Sequence, residues 1–345
     1  MQALQLTKFK HPPDLREVDD PTPAPGEVLI RIGGAGACHS DLHLIHDFDE
    51  SLVPFKLPFT LGHENAGWVE ELGAGVTGLE VGQPVAVYGP WGCGTCKLCL
   101  EGRENYCTNQ AQLPYAGGGL GRDGGMAPLL LVPSARLLVP LSDLNPVDAA
   151  PLTDAGLTPY SSIKRSLSLL VPGSTAVVIG AGGLGHMAIQ LLDALTTTRI
   201  IAVDSNPDAL RYALDAGAAH AFAPGPEAIM EIRSLTRGVG AELVLDIVGV
   251  NDTLAFAAAV IRPLGHLTLV GIGGGSFPFG FFTAPYGVSL ATTYWGSLPE
   301  LVEVLALAEA GKVRAEVVRY ELADAAKAYD DLAAGRVRGR AVVVP

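Results

Sequence analysis

The stretch Thr175-Ala-Val-Val-Ile-Gly180-Ala-Gly182-Gly183-Leu184-Gly185-His-Met-Ala-Ile-Gln-Leu-Leu192 decides how the rest of this chain is read. Residues 175–179 are apolar or β-branched and predict a buried strand. Gly180, Gly182 and Gly185 follow at GxGxxG spacing. Leu184, Ala188, Leu191, Leu192 and Leu195 then recur at helical spacing, so a helix starts at the last glycine. The physics suits a dinucleotide. The first glycine makes the tight turn, the second lets backbone approach a pyrophosphate, and the third lets helix and strand pack closely. The helix N-terminus offers free N–H groups and a positive dipole end to the phosphates. A glycine-rich turn alone often does only structural work. Here a second strand follows, Arg199-Ile-Ile-Ala-Val-Asp204, and Asp204 stands 19 residues after Gly185, where an acidic side chain takes ribose hydroxyls.

The chain has 345 residues, which suggests about two domains and a core large enough to need no staples. A hydrophobic content of 48% and 42 glycines suit an α/β enzyme rich in turns. The net charge of −13 argues against nucleic acid or anionic membrane as a partner, since both demand a basic surface. The first ten residues lack the apolar core of a signal peptide. No run of 18 apolar residues free of glycine clusters and charges occurs, so no transmembrane helix is expected. The expected location is the cytoplasm.

Residues 1 to about 150 are rich in Gly and Pro and carry short β-type runs at 28–32, 67–70 and 84–88. Turn signals such as Pro23-Ala-Pro-Gly26 separate them, and the pattern reads as an antiparallel, barrel-like β domain. Beyond 155, helices are expected at 211–216, 227–235 and 253–261. They alternate with strands at 220–222, 243–248, 267–272 and 290–294. Such alternation implies a doubly wound parallel sheet. A long amphipathic helix is expected over 299–310, and Arg340-Ala-Val-Val-Val-Pro345 reads as a strand rejoining the first domain. The domains are therefore drawn at 1–154, 155–290 and 291–345, the last returning to the first.

Five cysteines are an odd number, and four of them crowd into 15 residues: Cys93-Gly-Thr-Cys96-Lys-Leu-Cys99, then Cys107. Without an oxidising compartment this crowding points to metal rather than disulfides. Four thiolates at such spacing can close a tetrahedral shell around zinc, a structural site with no open position. Iron–sulfur ligation also uses four cysteines, although the dinucleotide features disfavour it. Cys38 stands in Cys38-His-Ser-Asp-Leu-His43, and Gly62-His63-Glu64 lies further on. Together they offer sulfur and imidazole beside carboxylates, as a catalytic zinc with three protein ligands and one open position requires.

These motifs make the chain resemble the zinc-dependent medium-chain alcohol dehydrogenases over its whole length. Gly62-His63-Glu64-x2-Gly67-x5-Gly73-x2-Val76 is similar to that family's zinc signature, and the four-cysteine lobe and the glycine turn stand in the family's order. Tyr88-Gly-Pro-Trp-Gly-Cys93 and Pro151-Leu-Thr-Asp-Ala-Gly-Leu-Thr-Pro-Tyr160 are similar to bacterial NAD-dependent secondary-alcohol dehydrogenases and aryl carbonyl reductases. The resemblance implies a GroES-like β-barrel catalytic domain with a structural zinc lobe at about 90–110, and a Rossmann domain for NAD. It implies two zinc ions per chain, one catalytic and one structural, and a homodimer or homotetramer.

Position by position, the resemblance makes Cys38, His63 and Asp154 the catalytic zinc ligands. Many members have cysteine at the third position, and Thr153-Asp154 could instead cap a helix. Glu64 would sit just behind the zinc, and Asp41 would orient the ligand imidazole. Ser40 would hydrogen-bond the zinc-bound alcohol, and His43 would end the proton relay. His39, Thr158, Gly180, Gly182, Gly183, Leu184, Gly185, Asp204 and Arg340 would touch the cofactor, with Arg340 at the pyrophosphate and Thr158 at the nicotinamide. Trp91, Tyr294 and Trp295, with Phe281 and Phe282, would border an apolar substrate pocket, unless they are simply core.

The implied reaction is reversible NAD-linked oxidation of secondary alcohols, and some primary or aryl ones, by hydride transfer from a zinc-bound alkoxide. The alternatives are a polyol or sugar dehydrogenase of the same superfamily, a zinc-free quinone reductase, which Cys38 and His63 disfavour, and a non-enzymatic zinc-binding module. The net charge of −13 speaks against the last as a nucleic-acid binder.

Overall fold

The run Thr175–Ile179 lies inside a six-stranded parallel sheet in a computed structural model of the protein, which describes residues 1–277 and 279–345. The spatial order is His220–Phe222, Arg199–Val203, Thr175–Ile179, Ala241–Asp246, Ile261–Leu269 and Ser289–Thr292. Every neighbouring pair in it is parallel. Numbered along the chain this is 3-2-1-4-5-6, the doubly wound Rossmann order, with the chain reversing direction across the sheet beside Thr175–Ile179. Val177, Ile179, Ile201, Val203 and Val244 pack with Ile232, Leu254 and Val260 from the helices Pro226–Leu235 and Asn251–Val260. Each such aliphatic side chain contributes about 1.5–3 kcal/mol when fully buried.

Gly180 has φ +89°, a conformation that favours glycine, and it ends the first strand. A Cβ on Gly185 would lie 1.9 Å from the Gly180 carbonyl, so only glycine lets the helix Gly185–Leu195 start so close to the strand.

Several boundaries differ from those expected: the helix expected at 211–216 already begins at Pro207, where Asn206 accepts the Asp208 N–H, and three strands are bounded differently. The strand expected at 243–248 ends at Asp246, because the Asp246 carboxylate accepts from the Val248 and Gly249 N–H groups at 3.0 and 2.9 Å and turns the chain. The strand expected at 267–272 instead spans Ile261–Leu269. Pro263 and Gly265 interrupt its β pattern in sequence, and the ladder accommodates them by a register shift between Ala241 and Leu243 of the partner. The sixth strand occupies Ser289–Thr292 rather than 290–294.

This sheet belongs to one compact unit, Thr158–Trp295; Met1–Leu157 and Gly296–Pro345 form the other. The spine of that second unit is the ten-residue strand Val28–Ala37. One edge pairs antiparallel with Glu64–Leu72, which in turn pairs with Pro84–Val87. The other edge is shared: Leu129–Val132 covers residues 28–31, and Arg340–Val344 covers 35–37, both antiparallel. The C-terminal strand is thus sewn into the N-terminal sheet next to the position where Val28–Ala37 runs out. Among the described residues no helix is long and apolar enough to cross a membrane.

Candidate active site

The spine strand ends at Ala37, and Cys38 caps the helix His39–His46 that follows. Asp41, in that helix's first turn, folds back so that its Oδ2 accepts the Cys38 N–H at 3.0 Å. Its Oδ1 lies 2.9 Å from His63 Nδ1. A carboxylate accepts only, so His63 donates from Nδ1 and turns Nε2 to its other side. There Nε2 is 3.5 Å from Asp154 Oδ2, which is 3.8 Å from Cys38 Sγ. Asp154 closes the 3₁₀ turn Ala150–Thr153, and its carboxylate is aimed at these two groups. The Ser40 hydroxyl stands 3.3 Å from His63 Nε2. Cys38, His63 and Asp154 are all buried, and their ligand atoms lie within 4.8 Å of one another.

The surroundings hold this set firmly. Asp41 is fully buried yet its charge is satisfied, for the Tyr329 hydroxyl also donates to its Oδ2 at 3.0 Å. Burial is the largest influence and opposes a charged imidazole, but Asp41, Asp154 and Cys38 together outweigh it and raise His63 well above the ordinary histidine value, so a zinc ion would bind Nε2 by displacing its proton. Glu64 accepts the Ala155 N–H at 3.1 Å and meets the Arg340 guanidinium at 2.6 Å. Burial pushes the Glu64 carboxyl up to about 7 against the pull of Arg340. A Cβ on Gly36 would lie 1.9 Å from Glu64 Oε2, so the spine strand needs a glycine there for this carboxylate to fit.

The four remaining cysteines form a second cluster. Cys96 Sγ lies 3.5 Å from Cys99 Sγ and 4.0 Å from Cys107 Sγ. These separations exclude disulfides, whose sulfurs sit about 2.05 Å apart. They match the edge of about 3.8 Å that a tetrahedron with zinc–sulfur bonds of about 2.3 Å requires. The backbone N–H and then the hydroxyl of Thr95 hold Cys93 down to about 5, and backbone contact with Cys99 holds Cys96 down to about 7. Burial pushes Cys99 and Cys107 up, and a bound cation would favour loss of their protons to solvent. Cys93 Sγ also accepts the Cys96 N–H and the Asn109 amide, each at 3.3 Å, as a thiolate ligand does. Both donor sets fit zinc: one has the four donors of a closed structural site, the other the three that a catalytic site uses.

Comparison with known proteins agrees. Residues 24–143 match the alcohol dehydrogenase GroES-like domain family, and residues 183–310 match the zinc-binding dehydrogenase family. The chain is 37% identical to the NAD-dependent alcohol dehydrogenase of Sulfurisphaera tokodaii over 100% of both proteins. It is 38% identical to the D-arabinose 1-dehydrogenase (NADP(+)) of Saccharolobus solfataricus over 100% of this chain and 97% of that protein. The solved structure of the alcohol dehydrogenase from the archaeon Aeropyrum pernix aligns with a TM-score of 0.92 and 36% identity over 100% of both chains. The chain belongs to the zinc-dependent medium-chain alcohol dehydrogenase family.

It is therefore an oxidoreductase that uses zinc and a nicotinamide cofactor on a small-molecule substrate. The dehydrogenase's glycine turn fits that cofactor. Nothing lies within 4 Å of the place a Cβ on Gly182 would occupy, so the backbone there is open to close approach. Asp204 Oδ2 accepts the Ala181 N–H at 2.7 Å, and Oδ1 accepts the Asn206 N–H at 2.8 Å. The end of the second strand is thereby tied to the glycine turn. Leu184 precedes the first residue of the helix, and Gly183 is half-buried beside it. Thr158 is buried and His39 exposed. Arg340, expected at a pyrophosphate, is 1% exposed and packed against Glu64 behind Cys38 and His63.

The expected relay and pocket residues fall in different surroundings. His43 is partly exposed, with Nδ1 at 2.6 Å from Asp47 and its ring stacked on Phe48. Asp47 carries no signal in sequence beyond its i+4 position. Trp91, expected to border a pocket, is 2% exposed and its indole N–H donates to the Tyr88 carbonyl at 3.0 Å. Tyr294 and Trp295 meet edge to face at 5.2 Å in the other unit, Trp295 buried and Tyr294 exposed. Phe281 and Phe282 are exposed, the latter at 90%. Nothing in its local sequence marks Tyr329, which reaches Asp41 from 288 residues away.

Proposed function

We propose that this dehydrogenase reversibly oxidises secondary alcohols, and some primary or aryl alcohols, to ketones or aldehydes with NAD. The observation that carries the reading is the convergence of Cys38 Sγ, His63 Nε2 and Asp154 Oδ2 within 4.8 Å beside the Ser40 hydroxyl. These three residues would hold the catalytic zinc, which when bound supplies Lewis-acid polarisation of the substrate oxygen. NAD, bound along Gly180–Gly185 with Asp204 at its ribose, supplies the hydride acceptor. Asp41 accepts the His63 Nδ1 proton and so keeps Nε2 turned toward the site. The Ser40 hydroxyl, 3.3 Å from His63 Nε2, would accept the substrate's hydroxyl proton. His43, steadied by Asp47 and Phe48, would pass it to solvent. Cys93, Cys96, Cys99 and Cys107 would hold the structural zinc.

NAD is favoured over NADP because the Asp204 carboxylate would repel a 2′-phosphate, while the nearby Arg211 guanidinium is engaged by Asp208. A second reading, a sugar or polyol dehydrogenase, is favoured by the 38% identity to a D-arabinose 1-dehydrogenase. The unit Thr158–Trp295 would bind the cofactor and the other would carry the chemistry. Location in the cytoplasm and assembly into a homodimer or homotetramer complete the proposal. The test is the rate of NADH or NADPH formation with 2-propanol, 1-phenylethanol, sorbitol and D-arabinose. The proposal expects the highest kcat/KM for a secondary alcohol with NAD. The highest value for D-arabinose or sorbitol would establish the second reading instead.

A further inference from the structure

The Asp41 carboxylate accepts three hydrogen bonds, from Cys38, His63 and Tyr329, and two of these are local to the zinc-site segments. The Cys38 N–H comes from three residues away and His63 Nδ1 from the neighbouring strand entry. The third donor, the Tyr329 hydroxyl, comes from the helix Ala325–Ala333 near the end of the chain. Tyr329 is 3% exposed, so its hydroxyl meets Asp41 away from bulk solvent. The division of labour on the carboxylate is uneven. Oδ2 is shared by Cys38 N–H and Tyr329 O–H at 3.0 Å each, while Oδ1 serves His63 alone at 2.9 Å. Two donors on one oxygen fix the rotation of the carboxyl group, and that rotation aims Oδ1 at His63.

We infer that Tyr329 is a positioning residue of this dehydrogenase: its hydroxyl orients Asp41, which orients His63 and so sets how tightly the Cys38–His63–Asp154 site holds zinc. The inference rests on the ligand set proposed above. It also gives the C-terminal segment a part in the chemistry, since Ala325–Ala333 packs on His39–His46, the helix that carries Asp41.

Groups that touch a metal ligand typically change metal affinity or activity about 10- to 100-fold when removed. Tyr329 acts one contact further out, so its effect should be roughly 3- to 10-fold. Tyr329→Phe keeps the ring and deletes only the hydroxyl. The experiment measures zinc per chain in holoenzyme incubated with graded 1,10-phenanthroline, for wild type, Tyr329→Phe, Asp41→Asn and the double variant, alongside kcat/KM. Expected is a Tyr329→Phe protein that releases one of two zinc ions roughly 3- to 10-fold more readily and keeps the four-cysteine zinc as tightly as wild type. In the Asp41→Asn background the same substitution should add nothing, because its route runs through Asp41. The inference is overturned by wild-type zinc release in Tyr329→Phe. It is equally overturned by release of both ions together with a lowered unfolding midpoint, or by an undiminished effect in the Asp41→Asn background. A wild-type protein that binds only one zinc would remove the ligand set itself, and this inference with it, before any variant is compared.

Discussion

Asp154 stands where two different chemistries make different demands, and one pair of substitutions separates them. As a zinc ligand it must supply an anionic oxygen; as a helix cap it need only accept an N–H. Asparagine caps helices about as well as aspartate, and replacing either by alanine costs about 1 kcal/mol. The neutral amide oxygen is a far poorer ligand for zinc than a carboxylate. The structure favours the ligand role, since the carboxylate lies 3.5 Å from His63 Nε2 and 3.8 Å from Cys38 Sγ. With Asp154 gone, two donors remain of the three that a catalytic zinc requires. Lewis-acid assistance is worth several kcal/mol at the transition state, and a loss of about 3 kcal/mol is already more than 100-fold in rate. Asp154→Asn and Asp154→Ala should therefore both fall to one zinc per chain and lose more than about 100-fold in kcat/KM. Asp154→Cys should keep both ions, because a thiolate is also a competent ligand. The assays are elemental analysis of the purified variants and steady-state alcohol oxidation. An Asp154→Asn protein with two zinc ions and wild-type turnover, beside an Asp154→Ala protein that is merely about 1 kcal/mol less stable, would refute the reasoning in favour of a cap.

Asp204→Gly should raise kcat/KM for NADP relative to NAD, while lowering turnover with both, because the Ala181 and Asn206 N–H groups lose their acceptor; an unchanged cofactor ratio would count against Asp204 as the discriminating residue. His43→Gln should slow alcohol oxidation around neutral pH and recover at high pH, where hydroxide takes the proton directly; superimposable pH–rate profiles would leave His43 outside proton transfer. His266 tests the other unit. Burial first, and then Arg165, lower its pKa in the folded protein, so the unfolded chain binds the extra proton more readily. Its contribution to stability is present above the unfolded value of about 6.5 and declines as pH falls below it. Denaturant titrations from pH 8 to 5 should show that decline in wild type, and His266→Asn should flatten it; equal slopes would assign the acid sensitivity elsewhere.

Features determined by neighbours in the chain were legible in the sequence. The strand over 175–179, the turn and the helix after Gly185 follow from apolar spacing and three glycines, and each is enforced by contacts within a few residues. The four-cysteine cluster is as local, spanning 15 residues. The alternation of strands and helices announced the parallel sheet, since a βαβ unit cannot close in any other way. Where a side-chain contact or a neighbouring ladder overrode the local pattern, the sequence misled: Asp246 stops its strand by capturing two N–H groups, and Pro263 hides the beginning of a strand expected only from 267. Cys38, His63 and Asp154 came together in the sequence only through resemblance to a family, because no periodicity links positions 116 residues apart. Their distances, the turning of Arg340 onto Glu64, the burial of Trp91 and the reach of Tyr329 to Asp41 belong to tertiary structure alone. The physical reason is the same for each. A buried charge or ring must find partners in three dimensions, and those partners are supplied by whichever strand or helix the folded chain brings alongside.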